Sequence, residues 1–104
     1  GELGKAEPPV IAALLQALRD PFVRDQAAAA LGKLGKAEPE VIDALLQTLK
    51  RGYTEKEAGV ALGKLWQKKP EEELINMLAD TRSEIRTAAA YALATKKSLS
   101  LLIP

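Results

Sequence analysis

Neither cysteine nor histidine occurs anywhere in the 104 residues of this chain. The first absence removes disulfides, thiolate nucleophiles and thiolate metal sites together. The second removes the commonest general base and the commonest transition-metal ligand. Aromatic residues are scarce, one Phe, one Trp and two Tyr, so any core must be built from leucine, alanine, isoleucine and valine. Neither sign of charge is in excess: the formal net charge is +1, and no global field draws in a polyanion. No run approaches the roughly 18 apolar residues of a membrane-spanning helix. No basic segment leads into an apolar stretch in the manner of a secretion signal, so a cytoplasmic location is expected, with no membrane contact. What remains, 47% hydrophobic and 28% charged residues, is the composition of an ordinary globular protein.

What is present is repetition. "LGKAEP" stands at Leu3 to Pro8 and again at Leu34 to Pro39, and sliding Leu3–Lys33 onto Leu34–Lys64 leaves 18 of 31 positions identical. The apolar stretches align, "VIAALLQAL" with "VIDALLQTL" and "AAAALGKL" with "AGVALGKL", while Asp20 to Gln26 shares nothing with Arg51 to Glu57. A weaker third copy carries Pro70 at the same period and "IRTAAAYALAT" (Ile85 to Thr95) at twice the period from "VRDQAAAALGK". Its first half aligns only after a two-residue shift, "LLQALRD" with "LINMLAD", which predicts a shorter opening helix and a longer turn at Thr81 to Glu84. A period of this size belongs to a solenoid, whose units bury their apolar faces only by stacking on each other.

Each unit divides into two helices. Val10, Ile11, Leu14, Leu15 and Leu18 have the spacing of one helical stripe, and this first helix of a unit is designated helix A. Prolines (Pro8, Pro9, Pro39, Pro70) suit its first turn, and the glutamates beside them suit the positive end of its dipole. Asp20 and Pro21 predict an N-cap and first position for helix B of the first unit. Thr54 with Glu57 predicts a capping box in the second, and Ser83 is preferred over Asp80 as the cap in the third. The expected inward stripe of helix B is Val23, Ala27, Ala30, Leu31 and Leu34, with alanine permitting close approach. Gly52 is expected to end the second helix A, and Gly35 to supply the left-handed turn into the second unit.

The run "DPFVRDQAAAALGKLG" (Asp20 to Gly35) resembles the second half of a HEAT-like repeat, of the short type found in phycobilisome lyases. The second copy departs from the pattern at Gly52, Thr54 and Glu55, and the third keeps Ile85 and Arg86 but has Ala94 in place of glycine. The resemblance implies an all-α fold, a right-handed α-solenoid of about three helix-turn-helix repeats at 5–35, 36–66 and 67–97. "GELG" (Gly1 to Gly4) aligns with "GKLG" (Gly32 to Gly35), and "SLSLLIP" (Ser98 to Pro104) reads as the start of another helix A. A partial repeat is therefore expected at each edge, as in a fragment of a longer repeat protein. The alternative for the second edge is that its leucines fold back as a cap.

No reaction is expected. Carboxylates cluster at Glu71 to Glu73 and at Asp20 with Asp25, but they stand at helix starts, where capping accounts for them. The HEAT-like enzymes that hydroxylate deoxyhypusine hold iron through His-Glu motifs, which a chain without histidine cannot match, so neither cofactor nor metal is assigned. Nucleic-acid binding, known among HEAT-like proteins, is disfavoured. Lys33, Lys64, Lys68, Lys69, Lys96 and Lys97 lie at the ends of helices B, where lysine complements the helix dipole, and Trp66 reads as a packing residue at a unit junction.

Protein binding is the function expected, to a separate partner or another domain of the same chain, through a concave surface lined by helices B. The candidate contacts are Phe22, Gln26, Lys33, Tyr53, Glu57, Val60, Lys64 and Tyr91, with Ala29, Glu84, Ala88 and Thr95 on the same outward face. Phe22 and Tyr53 have a second reading, as covers of the turn between helices A and B. Asp20 with Arg24, and Asp80 with Arg86, are expected to cap turns and link units. The alternative functions are a rigid spacer or regulatory arm of a larger signalling or bilin-lyase-like protein, and nucleic-acid binding. Uncapped repeat ends would also permit end-to-end self-association.

Overall fold

The computed structural model describes residues 7–102, and their side chains from residue 9 to residue 98. Within them lie six α-helices: α1 (Glu7–Ala17), α2 (Arg24–Leu34), α3 (Pro39–Lys50), α4 (Glu55–Trp66), α5 (Glu71–Met77) and α6 (Ser83–Leu102). There is no strand among the described residues, and the chain is an all-α solenoid of three helix pairs. Helices A are α1, α3 and α5, and helices B are α2, α4 and α6. The helices B form one continuous stack, α2 on α4 on α6, while each helix A packs on its own helix B. The expectations for "GELG", and for Ile103 and Pro104, lie outside the described residues.

The core runs along this stack. Leu31, Leu45, Leu62 and Leu74 are each at most 1% exposed, and burying a leucine stabilises the fold by about 1.5–3 kcal/mol relative to leaving it in water. Small residues let the helices B approach. A methyl group added to Gly32 would lie 2.8 Å from the Ala61 Cα, and one added to Gly63 would lie 3.0 Å from the Tyr91 carbonyl. These two glycines, one period apart, therefore mark the crossing points of successive helices B.

The inward stripe of α2 is Ala27, Ala28, Leu31 and Gly32, and this corrects the expected one at its two ends and at Ala30, which is only half-buried. Val23 is 41% exposed because it precedes the helix, and Leu34 is 40% exposed whereas its equivalent Leu65 is 8% exposed. The difference follows from neighbours: among the described residues α4 has a helix B on each side, and α2 has one on one side only. Ala88, expected on the outward face, is fully buried.

The helix ends differ from expectation in four places. Residues 21–23 form a turn and α2 opens at Arg24, so Asp20 does not cap it. The Asp20 carboxylate accepts instead from the Phe22 amide at 2.9 Å, closing the turn locally. Thr54 does precede α4, but in a left-handed conformation with φ 42°. Its hydroxyl bonds to the carboxylates of Glu57 and, across the unit boundary, Asp25, rather than capping a backbone amide. Helix α6 begins at Ser83 itself, and the Asp80 carboxylate takes the Arg82 amide at 2.9 Å. Finally, α6 continues unbroken to Leu102, so residues 98–102 neither open a new helix A nor fold back.

The third helix A is indeed short: α5 has 7 residues against 12 in α3. The turn after it spans 78–82 and is no longer than the one at 18–23, because Ser83 and Glu84, expected in the turn, open α6 instead. Gly35 (φ 69°) and Gly52 (φ 77°) both take the left-handed conformation that ends a helix. Gly35→Ala is expected to lower stability by about 1–2 kcal/mol, read as a lower urea midpoint at unchanged slope.

Asp80 also meets the Arg82 side chain, at 2.9 and 3.0 Å through its two carboxylate oxygens. That side-chain pairing first, then the Arg82 amide, lowers its pKa from 3.8 to about 2. A depressed carboxylate stabilises the fold above its unfolded pKa, and this contribution is lost as pH falls from about 4 toward 2. In a carboxyl NMR titration Asp80 is expected to show a midpoint near 2, rising toward the ordinary value in Arg82→Ala.

Candidate functional site

Two surfaces stand out, one along the helices B and one at the turns between helices A and B. The first is a groove between α2 and α4. Ala29, Val60 and Ala61 form its apolar floor, Lys56, Glu57 and Lys64 flank it, and its volume is about 170 Å³. Lys64 also borders a wider depression of about 430 Å³ where the C-terminal ends of α2 and α4 meet α6, lined by Lys33, Gly35 and Thr95. The shared lysine joins the two into one open surface crossing all three helices B. Val60 is 37% exposed, which leaves its methyl groups available at the centre.

The eight candidate residues are divided between places. Glu57, Val60 and Lys64 line the groove and Lys33 the depression beyond it. Gln26 is exposed on α2 without lining either. Tyr91 is half-buried against Gly59 and Gly63, where an added methyl group would collide with it, so its ring is engaged in stacking α6 on α4. Phe22 is 88% exposed at the first A-to-B turn, and it covers little of that turn. Tyr53, at the second turn, lies under the guanidinium of Arg24, whose carbon is 4.2 Å from the ring centroid.

Arg24 has a structural task as well. Its Nε–H donates to the Leu18 carbonyl at 2.8 Å, and Arg86, two periods on, donates to the equivalent Asp80 carbonyl at 2.8 Å. Each arginine thus ties its helix B to the end of its own helix A, through carbonyls rather than through the carboxylates of Asp20 and Asp80. The second unit has Glu55 at this position and lacks the tie.

The second surface is a cleft of about 270 Å³ between the first two A-to-B turns, with Leu15 and Leu18 at its floor and Arg19, Arg24, Arg51 and Tyr53 around it. Periodicity did not reveal this convergence. Only the stacking of the two units brings Arg19 and Arg51 together with Arg24.

Of the six lysines weighed against a nucleic-acid reading, Lys69, Lys96 and Lys97 are engaged within the protein. Lys69 pairs with Glu73 at 3.0 Å and Lys97 with Glu71 at 3.1 Å. Lys69 also stands 5.6 Å from the ring of Trp66, a buried residue, and Lys96 donates to the Gln67 carbonyl at 2.8 Å. No cluster of carboxylates able to hold a metal ion occurs among the described residues, and none of their helices is long and apolar enough to cross a membrane.

Residues 23–51 match the family model of the PBS lyase HEAT-like repeat. The matched segment covers α2, the loop after it and all of α3, that is, the helix B of one unit and the helix A of the next. No curated protein and no solved structure matches the chain.

Proposed function

The chain is a HEAT-like repeat protein of the PBS lyase type, and from that premise we propose that it is a non-catalytic protein-binding module working through its helix-B surface. The observation that carries this reading is the groove around Val60, continuous through Lys64 with the depression beside Lys33. An apolar floor with lysines at its edges suits a segment that places an apolar side chain over Val60 and carboxylates against Lys33, Lys56 and Lys64. Repeat stacking supports the reading physically, since an array of rigid helices presents a preorganised surface and a partner does not have to order it on binding. The partner is a separate protein or another domain of the same polypeptide.

Affinity capture with the wild-type chain, beside a Val60→Glu, Lys64→Glu variant of unchanged helicity, tests the proposal. A protein retained by the wild type and lost by the variant supports it. Retention of the same protein by both places binding elsewhere, and retention of nothing specific by either favours a spacer.

A further inference from the structure

The cleft between the A-to-B turns has no role in the stacking of the helices B and shares no lining residue with their groove. Three arginines border it, and no carboxylate does. Among the described residues, Arg19, Arg24 and Arg51 have no ion-pair partner within 4 Å. The helices α1 and α3 end beside it, at Ala17 and Lys50, and each helix end offers about half a negative charge. Three guanidinium groups against two such ends leave roughly two positive charges uncompensated.

Arg24 is also held in place. Its Nε is occupied by the Leu18 carbonyl and its plane lies over Tyr53, which fixes the fork while leaving its terminal nitrogens without a protein acceptor among the described hydrogen bonds. A fixed guanidinium fork is suited to bidentate recognition of a carboxylate. Leu15, Leu18 and Ala44 supply an apolar floor beneath the arginines, so the cleft offers places both for a charged group and for an aliphatic one beside it.

We infer that this cleft is a second binding site, which takes an acidic peptide segment carrying a carboxylate next to an aliphatic side chain. The carboxylate meets Arg24 and one or both of Arg19 and Arg51, and the aliphatic group rests on Leu15 and Leu18. The inference does not rest on the helix-B groove being used, and the two are separable because they share no residue.

The test is an NMR titration of the full chain with a short capped peptide of alternating glutamate and leucine. Its arms are the same peptide with glutamine for glutamate, inorganic phosphate alone, and the variants Arg19→Ala/Arg51→Ala and Arg24→Lys. The acidic peptide is expected to shift the amides of Arg19, Thr48 and Arg51 to saturation, and the glutamine peptide to leave them in place. Affinity is expected to fall about tenfold or more in the double variant, as for loss of hydrogen bonds to a charged group. Arg24→Lys is expected to weaken binding while retaining the charge, because an ammonium group lacks the fork. Arg19 and Arg51 are exposed, so an unchanged amide pattern elsewhere in the double variant shows that its fold is kept. Equal affinity in the double variant, or shifts centred on Val60 and Lys64 instead, would overturn the inference. Phosphate saturating the same amides at the same concentration would also overturn it, by showing a small-anion site.

Discussion

Leu62→Ala is expected to lower stability by about 2–5 kcal/mol, a large part of the roughly 5–15 kcal/mol that holds a typical domain folded. Leu62 is fully buried at the centre of the middle helix B, and α4 has α2, α3 and α6 as neighbours. Removing its isobutyl group leaves a cavity where no flank is open to solvent and little collapse is available. Its equivalent in the first unit, Leu31, is also buried, but α2 has a helix B on one side only among the described residues, so the same substitution there falls nearer the lower end of that range. Thermal unfolding followed by circular dichroism measures both. Equal losses, or a loss below about 1 kcal/mol at Leu62, would show that the stack is less tightly packed than described.

Gly59→Ala is expected to destabilise the chain, although alanine is the better helix former by about 0.8–1 kcal/mol. A β-carbon at this position would run into the ring of Tyr91, and overpacking of this kind costs about 1–3 kcal/mol. The first unit has Ala28 at the equivalent position, facing α4 where Val60 takes the place of Tyr91. Glycine and tyrosine are therefore a matched pair, the small residue making room for the large one. A double-mutant cycle isolates this coupling. In a Tyr91→Ala background the collision is gone, and Gly59→Ala should become neutral or stabilising by up to about 1 kcal/mol. The same sign in both backgrounds would contradict the pairing.

Much of this architecture was legible in the amino-acid order, because repetition fixes which residues must be equivalent. The helix pairs, the left-handed Gly35, the helix-ending Gly52 and the packing role of Trp66 were all expected from the sequence. The helix ends followed less well. Asp-Pro and Thr-x-x-Glu are strong local capping signals, yet Asp20 closes its own turn and Thr54 bonds across to Asp25. A tertiary partner 29 residues away leaves no local trace. The stripe of helix B was misplaced at Val23 and Leu34 because apolar spacing locates a face but not where a neighbouring helix stops covering it.

The candidate surface was legible in part for the same reason. Lys33 and Lys64 are one period apart, and alignment alone places them on one side of the stack. Tyr91 was read from its place in that row, whereas its role depends on Gly59 opposite, a pairing visible only when α4 and α6 are brought together. The arginine cleft is farther still from sequence reasoning. Arg19, Arg24 and Arg51 occupy three different repeat positions, and only the three-dimensional offset of the two turns makes them converge.

The central claim is that the face of the helix-B stack around Val60 is where this protein meets its partner. Its most direct measurement is photo-crosslinking in lysate of the source organism. A benzoylphenylalanine replaces Val60 in one sample and the exposed Ala12 of α1 in another, and adducts are identified by mass spectrometry. The account predicts a defined protein adduct from position 60 and none from position 12. Adducts from position 12 alone, or from neither position while the wild-type chain still retains a partner, would contradict it.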